Sequence, residues 1–485
     1  MKKTFFTIVF VASTFATSFG QYNVIDNGLV LDKYPVPVGH RGFGFYGQDN
    51  FLVSNERGTL FFINKQFSVS EKLKIKGASF YTSTESTGFS HSINFNIDEK
   101  IIVYSFQVNE NNFLELIKKT STGNGTNLDF KYEKINLGRV ENGSWGSGVS
   151  AKSQNEKHKV LIINVISAGK YTESFVVVFD DEGEILWKEK VQFNFKQENF
   201  GLYDCAVSND GRVVYVAGVS SEDDNQKNAI LEIKRIEENN FSNEEVIKKL
   251  DKKTVKNAKI NVLSNGNVFL GANYKEGKDA GFFYLTFSKE EPSDYKMGIV
   301  PYKNAKLADT RFKDFCPSDN IPLLKGIYET TDGIVSMITE EVDNFNFNNT
   351  RNVVINSFNL QGEYQKTSIL FRKSSESYGT PVISVSVIDA KDKLLIVYND
   401  NNKNLSTNSP DNAAFLAGGF KINGIVTLCE VVGGGIGNKH KIMDGKTNKF
   451  MFSTVIYAKD KVAVLKIMSY NTIPLKFGIC KLTWE

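Results

Sequence analysis

The sequence predicts an all-β fold, and more specifically a β-propeller of four-stranded antiparallel blades. Three observations predict it. A pair of strands joined by a polar turn recurs along the chain, the strand after that turn is almost wholly apolar, and the strand that closes most units is rich in lysine. Self-similarity at a fixed period is typical of solenoids and propellers. We therefore expect a single propeller domain over residues 21–485, preceded by a separate segment, residues 1–20.

The stretch Val207–Val219, VSNDGRVVYVAGV, shows the repeating unit most clearly. A short strand runs into an Asn-Asp-Gly turn, and an uninterrupted apolar strand follows. Asp-Gly and Asn-Gly suit tight hairpins, because glycine adopts a positive φ without a steric penalty. Related stretches occur at Phe95–Val108, Ile260–Tyr274, Ile327–Glu341 and Ser386–Asp400.

The length of the unit follows from one anchor residue per turn. The anchors are Asp49, Glu99, Glu156, Asp210, Asn265, Asp332, Asp392 and Asp444. Their spacing averages about 56 residues, so that eight units fill nearly all of residues 21–485. Eight blades are favoured. Seven are the alternative, because Gly437–Met443, the first strand assigned to the last unit, is a poor strand sequence.

The order of strands persists within each unit. A second apolar run follows the first, and we assign it to Ala413–Phe420 in the seventh unit and to Val462–Met468 in the eighth. A strand reads as continuously apolar when its sheet is covered on both faces, as in blades stacked radially. The closing strand is then an exposed edge, where lysine discourages pairing with other chains. The glycine run Gly433–Gly437 is predicted to connect two blades.

The turn Phe179–Trp187, FDDEGEILW, is echoed by Phe358–Tyr364. It resembles the turn between the third and fourth strands of quinoprotein-like and WD-like propellers, without a match to one specific family. The resemblance implies the same blade pattern. Quinoprotein enzymes carry repeated tryptophan motifs, whereas this chain has only 3 Trp, and we therefore expect no quinone and no other cofactor.

Residues 1–20 read as a secretory signal peptide. Lys2 and Lys3 precede an apolar stretch, Thr4–Phe19, that is too short and too interrupted to span a bilayer, and the small residues Ser18 and Gly20 precede the cleavage position. The whole chain, with 38 Phe and only 9 Pro, resembles exported proteins of Bacteroidota. It shows no membrane-spanning stretch. We expect a periplasmic or outer-membrane-associated protein, with secretion as the alternative.

Charge and motifs exclude several function classes. Without Lys2 and Lys3 the chain has 56 basic and 55 acidic residues, which gives no basic surface for nucleic acid. The 4 Cys lie far apart, outside any CxxC motif, and we expect buried free thiols. No HExxH zinc motif and no GxSxG nucleophile motif occurs. No catalytic residue is therefore assigned, and an enzymatic role is less favoured than a binding role.

Five loop residues are candidate binding residues, because aromatic side chains on polar loops anchor protein interfaces and stack on sugars. They are Trp145 in a glycine-rich connection, Phe345 and Phe347 among asparagines, and Asp223 and Asp224 in an acidic loop. No metal site is assigned. The calcium candidates are Asp400, Asn402, Asn404 and Asp411, but Leu405 stands where a calcium loop needs glycine, and a solvated loop is the alternative.

These observations predict a protein-binding or assembly propeller that recruits a partner protein through one flat end. An outer-membrane protein or a type IX secretion component is the partner that the Bacteroidota resemblance suggests. The alternative is a carbohydrate-active propeller, a glycoside hydrolase or lyase, with a glycan as its ligand. That alternative predicts a concave pocket with two carboxylates about 5–10 Å apart at the channel mouth.

Overall fold

The computed structural model confirms the all-β class and shows an eight-bladed propeller of small antiparallel sheets. It describes residues 22–24, 29–34, 40–46, 50–55, 59–64, 69–74, 93–97, 100–122, 129–142, 144–167, 170–191, 201–221, 228–238, 240–288, 294–308, 321–342, 350–372, 374–375, 385–406, 408, 416–417, 424–445, 450–459, 461–469 and 475–484. The signal peptide assigned to residues 1–20 lies outside these ranges.

Consecutive strands form each blade. The first two strands, β1 (Tyr22–Val24) and β2 (Leu29–Tyr34), belong to blade eight. Blade one contains β3 (His40–Tyr46), β4 (Asn50–Asn55), β5 (Thr59–Asn64) and β6 (Val69–Lys74). Blade two contains β7 (Ile93–Ile97), β8 (Lys100–Val108), β9 (Phe113–Thr122) and β10 (Asp129–Arg139). Blade three contains β11 (Trp145–Lys152), β12 (Lys159–Ser167), β13 (Lys170–Phe179) and β14 (Ile185–Val191).

The same order continues around the ring. Blade four contains β15 (Gly201–Val207), β16 (Val213–Ser221), β17 (Ala229–Glu237) and β18 (Asn240–Leu250). Blade five contains β19 (Thr254–Val262), β20 (Val268–Glu276), β21 (Asp279–Phe287) and β22 (Tyr295–Pro301), followed by the 3-10 turn Tyr302–Asn304. Blade six contains β23 (Leu323–Glu329), β24 (Ile334–Val342), β25 (Thr350–Asn359) and β26 (Tyr364–Leu370).

The last two blades are less regular. A short parallel pair, β27 (Ser374–Ser375) and β30 (Leu416–Ala417), flanks blade seven. Blade seven contains β28 (Ser386–Asp389), β29 (Leu394–Asn401), β31 (Gly424–Val432) and β32 (Gly435–Asp444), with the 3-10 turn Asn402–Asn404 after β29. Blade eight contains β33 (Phe450–Lys459), β34 (Val462–Ser469) and β35 (Leu475–Trp484), which β1 and β2 complete.

Burial follows the predicted gradient from the second strand to the fourth. Every residue of β16 and of β29 is buried, because a neighbouring blade covers each face of the sheet. The fourth strands instead alternate between exposed and partly buried positions, as β14 and β22 do. The apolar cores accordingly lie between blades, and one of them joins blades four and five.

The turns between first and second strands, called 1–2 turns below, share one geometry. In blade four the Ser208 N–H donates to the Val213 carbonyl at 2.9 Å, and the Gly211 N–H donates to the Ser208 carbonyl at 3.0 Å. Gly211 has a φ of +73°, as the Asp-Gly turn predicts. The corresponding glycines of blades five and six, Gly266 and Gly333, also have positive φ.

The two ends of the described chain close the ring. In blade eight, Tyr22 pairs with Trp484, and Leu29 pairs with Ile479 on the same strand, β35. The first strand of this blade, β33, also contacts β3 of blade one. N-terminal strands thus supply the outermost strand of the last blade.

The sequence assignment of the eighth unit was wrong. Gly437–Met443 and Asp444 lie in β32, the fourth strand of blade seven, and the 1–2 turn of blade eight instead follows Lys459. Val462–Met468 lies in β34, a second rather than a third strand. The error arose from the long connection between β29 and β31. The third strand of blade seven is β31 and not the assigned Ala413–Phe420, so the strands assigned after it were each placed in the wrong position of a blade.

The run Gly433–Gly437 does not connect two blades. Gly433 and Gly434 form a two-residue hairpin between β31 and β32, with φ of +54° and +68°. Two positive φ values at the central positions are what a type I′ hairpin requires, and glycine satisfies both without strain. The Gly434 carbonyl also accepts hydrogen bonds from Ser357 and Ser368 of blade six, at 3.0 and 3.1 Å.

Three of the cysteines, Cys205, Cys429 and Cys480, are buried free thiols, as expected from the sequence. Cys316 lies outside the described residues. In the part of the chain that the structure describes, no helix is long and apolar enough to cross a membrane.

Replacing Gly211 with Val is expected to destabilise the protein. A Cβ there would lie 2.5 Å from Cδ2 of His158, and the backbone has a positive φ. We expect the free energy of unfolding to fall by about 2 kcal/mol or more, measured by urea unfolding. Gly277→Val is the matched control, because Gly277 has a φ of +61° but nothing within 4 Å of a Cβ. A Gly211→Val variant that unfolds like the wild type would contradict the assigned turn.

Candidate functional site

A pocket of ≈ 290 Å³ opens where the 1–2 turns meet at one mouth of the central channel. First strands and 1–2 turns of blades three, five, six, seven and eight provide its walls. The lining residues are Lys152, Ser153, Gln154, Glu156, Asn261, Ile327, Tyr328, Glu329, Val387, Ile388, Asp389, Lys391 and Ala458. We call it the channel-mouth pocket. It exists because first strands surround the channel and all end at this face.

The 1–2 turn of blade three crosses the channel mouth. Gln154 Nε2 donates to Glu329 Oε2 of blade six at 2.8 Å. Lys391 Nζ of blade seven lies 3.9 Å from Glu156 Oε1. In a ring of eight blades, blade seven stands opposite blade three, so this turn joins opposite sides of the ring.

The crossing turn is held in place by its own side chains and by blade four. Glu156 has a φ of +61°, a conformation that non-glycine residues rarely adopt. The Asn155 side chain stabilises it by accepting a hydrogen bond from Lys157 N at 3.1 Å. Asn155 N and Nδ2 donate in turn to Asn209 of blade four, at 3.0 and 2.9 Å. Strain of this kind persists where surrounding contacts fix the backbone.

The Glu329 carboxylate is 9% exposed and joins three blades. It accepts hydrogen bonds from Ser264 N of blade five at 2.7 Å, from the Ser264 hydroxyl, and from Gln154 Nε2 of blade three. Three donors satisfy a buried carboxylate well, since an unpaired buried charge is strongly destabilising. Glu329 is therefore a structural junction beneath the pocket.

Charges of both signs line the pocket. Lys391 Nζ lies 3.9 Å from Glu156 Oε1 and 3.5 Å from Asp389 Oδ2, and Lys152 Nζ lies 2.8 Å from Glu156 Oε1. Burial acts to raise the pKa of Glu156, but Lys152 and Lys391 outweigh it and hold that pKa below its ordinary value. Glu156 is consequently ionised at neutral pH.

Lys159 lies next to the pocket but is not a lining residue. It pairs with Lys152 across β11 and β12, and its Nζ is 4.1 Å from the centre of the Phe95 ring. Burial, aided by the charge of Lys152, lowers the pKa of Lys159 to about 8. Phe95 covers the amine, so that the group adds positive charge near the pocket rather than a side chain within it.

This arrangement suits recognition better than proton transfer. A general acid at neutral pH needs a carboxyl group of raised pKa, and the pKa of Glu156 is lowered. Burial, with Asp389, raises the pKa of Tyr328, so its hydroxyl stays protonated and is able to donate a hydrogen bond. Ammonium, amide and carboxylate groups together offer many donors and acceptors to a polar ligand.

Of the five candidate binding residues, the structure describes only Trp145, at the opposite end of β11 from the pocket residue Lys152. Trp145 begins β11 and pairs with Ile166, so it starts a strand instead of lying in the connection before it. Asp223 and Asp224 lie outside the described residues, as do Phe345 and Phe347. Both pairs fall in connections between second and third strands, whereas the pocket is built from 1–2 turns.

The described part of the calcium-candidate loop is organised by its own hydrogen bonds. Asp400 Oδ1 accepts from Asn401 N at 2.8 Å and from Asn404 Nδ2 at 2.7 Å, and Asn402 begins the 3-10 turn. Burial raises the pKa of Asp400, although Asn404 and Arg372 act against it. Asp411 lies outside the described residues. Over the described ranges, no group of three His, Cys, Asp or Glu side chains is close enough to hold a metal ion.

Sequence reasoning missed the pocket residues, although Glu156 was one anchor of the repeat. The missed residues with charged or amide side chains are Lys152, Gln154, Glu156, Asn261, Glu329, Asp389 and Lys391. The position of these residues in the repeat could have identified them. In a propeller all 1–2 turns lie at the same mouth of the channel, so polar residues at successive 1–2 turns are expected to lie close together there.

Comparisons with known proteins give only distant matches. No protein-family model matches the chain, and no curated protein matches it. Among solved structures, the polysaccharide lyase Uly1 covers 84% of this chain and 93% of its own at 10% identity, with a TM-score of 0.40. A PL25 ulvan lyase bound to -[GlcA(1-4)Rha3S]- covers 95% and 94% at 8% identity, with a TM-score of 0.43.

A puromycin hydrolase covers 88% of this chain and 58% of its own at 9% identity, with a TM-score of 0.42. At these identities and TM-scores the similarity carries no argument about function.

Replacing Glu156 with Gln tests the charge network. Because the pKa of Glu156 is lowered in the folded protein, its ionisation stabilises the fold above the ordinary value of 4.5. We expect Glu156→Gln to lower the free energy of unfolding by about 1 kcal/mol or less at neutral pH, a typical value for a partly exposed ion pair. Urea unfolding at several pH values should show this difference vanish as pH falls through the lowered pKa.

The matched control is Glu182→Gln in the exposed turn after β13, which should change stability little at any pH. A Glu156→Gln difference that persists unchanged in acid would contradict the network.

Proposed function

We propose that the protein is an exported carbohydrate-binding propeller that holds a saccharide in the channel-mouth pocket. The lining of that pocket is the observation that carries the proposal. Lysine, carboxylate and amide groups all line it, together with Tyr328. A saccharide presents hydroxyl groups that donate and accept hydrogen bonds, and both kinds of partner are available there.

The same lining argues against a protein as the occupant of the pocket. The cores of protein interfaces are depleted in Lys, Glu and Asp and enriched in aromatic residues. Lys152, Glu156, Asp389 and Lys391 all line this pocket. Its volume, ≈ 290 Å³, lies near the lower limit of small-molecule sites, which begin at roughly 300 Å³. A short saccharide fits these properties better than a protein segment does.

Binding is proposed rather than hydrolysis. Glycosidases need one carboxyl group of raised pKa beside a second carboxylate. Glu156 and Asp389 share Lys391, and the lysines keep Glu156 ionised. A pair held in this way suits the recognition of hydroxyl groups.

Oligosaccharide binding tests the proposal directly. A panel of neutral and acidic oligosaccharides, titrated by calorimetry, should include at least one ligand. Asp389→Ala and Lys391→Ala should each weaken its binding at least tenfold, because each removes a polar partner from the pocket. Lys303→Ala is the matched control, since the exposed pair of Lys303 and Asp279 lies in blade five, away from the pocket. A panel without a ligand, or a ligand insensitive to both variants, would contradict the proposal.

A protein-binding or assembly role, including one in an outer-membrane or type IX secretion-related complex, is the second candidate. One observation favours it: four consecutive blades expose an apolar side chain on the outermost strand. These are Tyr132 (53%), Leu186 (46%), Ile247 (53%) and Ile299 (44%). Large apolar side chains are common anchors of protein interfaces.

Affinity purification from detergent-solubilised envelope distinguishes this second role. A stoichiometric partner that the Leu186→Lys and Ile299→Lys variants fail to retain would support binding at the rim. Val432→Lys serves as the control, because Val432, at 54%, is at least as exposed as Leu186 and Ile299 but lies in blade seven. A partner retained equally by all variants would place the interface elsewhere.

A further inference from the structure

The side chain of Tyr328 runs back along its own strand, β23, towards the interior of the channel. A Cβ added to Gly326, two residues earlier in that strand, would lie 2.6 Å from Cζ and Oη of Tyr328 and 2.7 Å from its Cε2. The tip of the tyrosine therefore occupies the space that the absent side chain of Gly326 leaves open. Since the 1–2 turn of blade six follows Glu329, Gly326 lies further from the mouth, and the hydroxyl lies at the inner end of the channel-mouth pocket.

Packing between strands does not account for this position of Tyr328. Tyrosines also crowd a glycine at two places in blade five, where Tyr274 lies beside Gly281 and Tyr284 beside Gly298. Each of those pairs lies on neighbouring strands of one sheet, and the tyrosine fills the gap that the glycine leaves there. Tyr328 instead lies over a glycine of its own strand, and that strand is a first strand, at the channel.

The hydroxyl of Tyr328 is an unused hydrogen-bond donor. None of the described residues forms a hydrogen bond with it, although a tyrosine hydroxyl that is removed from water ordinarily has a partner. Tyr328 is partly buried, and burial raises its pKa, so the hydroxyl keeps its proton at neutral pH. A protonated hydroxyl that is fixed in position and has no partner in the protein is suited to donate to a ligand in the pocket.

The electrostatic potential at this hydroxyl is negative. After burial, the groups that raise the pKa of Tyr328 are the carboxylates Asp389 and Asp204. Asp389 lines the pocket, and Asp204 lies on the first strand of blade four, 3.3 Å from Lys259 Nζ. Both carboxylates repel an anionic group of a ligand, whereas they accept hydrogen bonds from a neutral hydroxyl. The inner end of the pocket is therefore suited to an uncharged group.

We propose that Tyr328 determines which sugar unit the pocket holds: its hydroxyl, positioned by Gly326, donates a hydrogen bond to a hydroxyl group of a neutral sugar unit at the inner end of the pocket. This inference rests on the proposed binding of a saccharide and adds the chemical class of the innermost unit. A sugar hydroxyl accepts from Tyr328 and at the same time has a hydrogen to donate to a carboxylate such as Asp389. A uronate carboxylate or a sulfate group has no such hydrogen and meets the negative charge of Asp389.

Deoxy analogues of the bound saccharide test the hydrogen bond. The saccharide identified in the oligosaccharide panel is titrated by calorimetry beside analogues that each lack one hydroxyl. One analogue should bind the wild type about fivefold more weakly than the parent, a typical effect of losing one neutral hydrogen bond. Tyr328→Phe and Gly326→Ala should bind that analogue and the parent equally, because the first variant lacks the hydroxyl and the Cβ of the second displaces it.

Charged analogues test the class of sugar. Replacing the unit that carries this hydroxyl with its uronic acid counterpart should weaken binding to the wild type at least tenfold. Gly298→Ala is the matched control for Gly326→Ala, because its Cβ crowds Tyr284 in the outermost strand of blade five, away from the pocket. This control should bind every ligand as the wild type does.

Circular dichroism and thermal unfolding serve to verify that each variant is folded, and the comparison of two ligands on one variant is a readout that a loss of stability does not imitate. A panel without a ligand would overturn the proposed function and this inference with it. A saccharide whose binding depends on Asp389 and Lys391, but which Tyr328→Phe distinguishes from every deoxy analogue as the wild type does, would overturn this inference alone. So would tighter binding of the uronic acid form.

Discussion

The first strand of each blade is a sheet edge that faces the central channel, and at three of the described junctions between blades a neighbouring blade supplies a hydrogen-bond partner for its backbone. Polar side chains of one blade satisfy N–H groups at the inner edge of the next. The described pairs include Asp204 with Ile260 at 3.0 Å, Glu340 with Val385 at 3.1 Å, and Asn399 with Phe452 at 2.9 Å. A buried backbone group left unpaired costs about 1–3 kcal/mol, so these bonds hold the ring together alongside its apolar cores.

The same constraint shapes the channel-mouth pocket. Glu329 accepts hydrogen bonds from the backbone N–H and the hydroxyl of Ser264 in blade five. This structural role places a carboxylate beneath the pocket whether or not a ligand binds there. Gln154 then has an acceptor across the ring. Part of the pocket's polarity is therefore structural, whereas Asp389 and Lys391 lie at its surface with partial exposure and are the groups best placed to meet a ligand. The proposed recognition of a saccharide would therefore use side chains that closure of the ring brings together.

Local chemistry allowed most of the fold to be predicted from sequence. The Asp-Gly turn predicted the positive φ of Gly211, and the uninterrupted apolar run that follows it predicted the burial of β16. The last two units were misassigned because two features depart from the regular spacing of strands and turns. These are the long connection in blade seven and the Gly433–Gly434 hairpin, which lies between the third and fourth strands. The carbohydrate-active alternative predicted a pocket at the channel mouth, but the residues that line it were not predicted, since they come from five blades. Gln154 and Glu329 stand 175 positions apart, and only the closed ring makes them neighbours.

The pairing of Tyr22 with Trp484 also determines when the ring can close during synthesis. β1 cannot pair until β35 has been synthesised, so the ring stays open until the chain has been made as far as Trp484. Folding is then governed by contacts of very long sequence separation, which are slow to form and leave strands unpaired for longer. Loss of a few residues from β1 or from the end of β35 would remove the pairing that closes the ring, and its effect would therefore extend beyond blade eight.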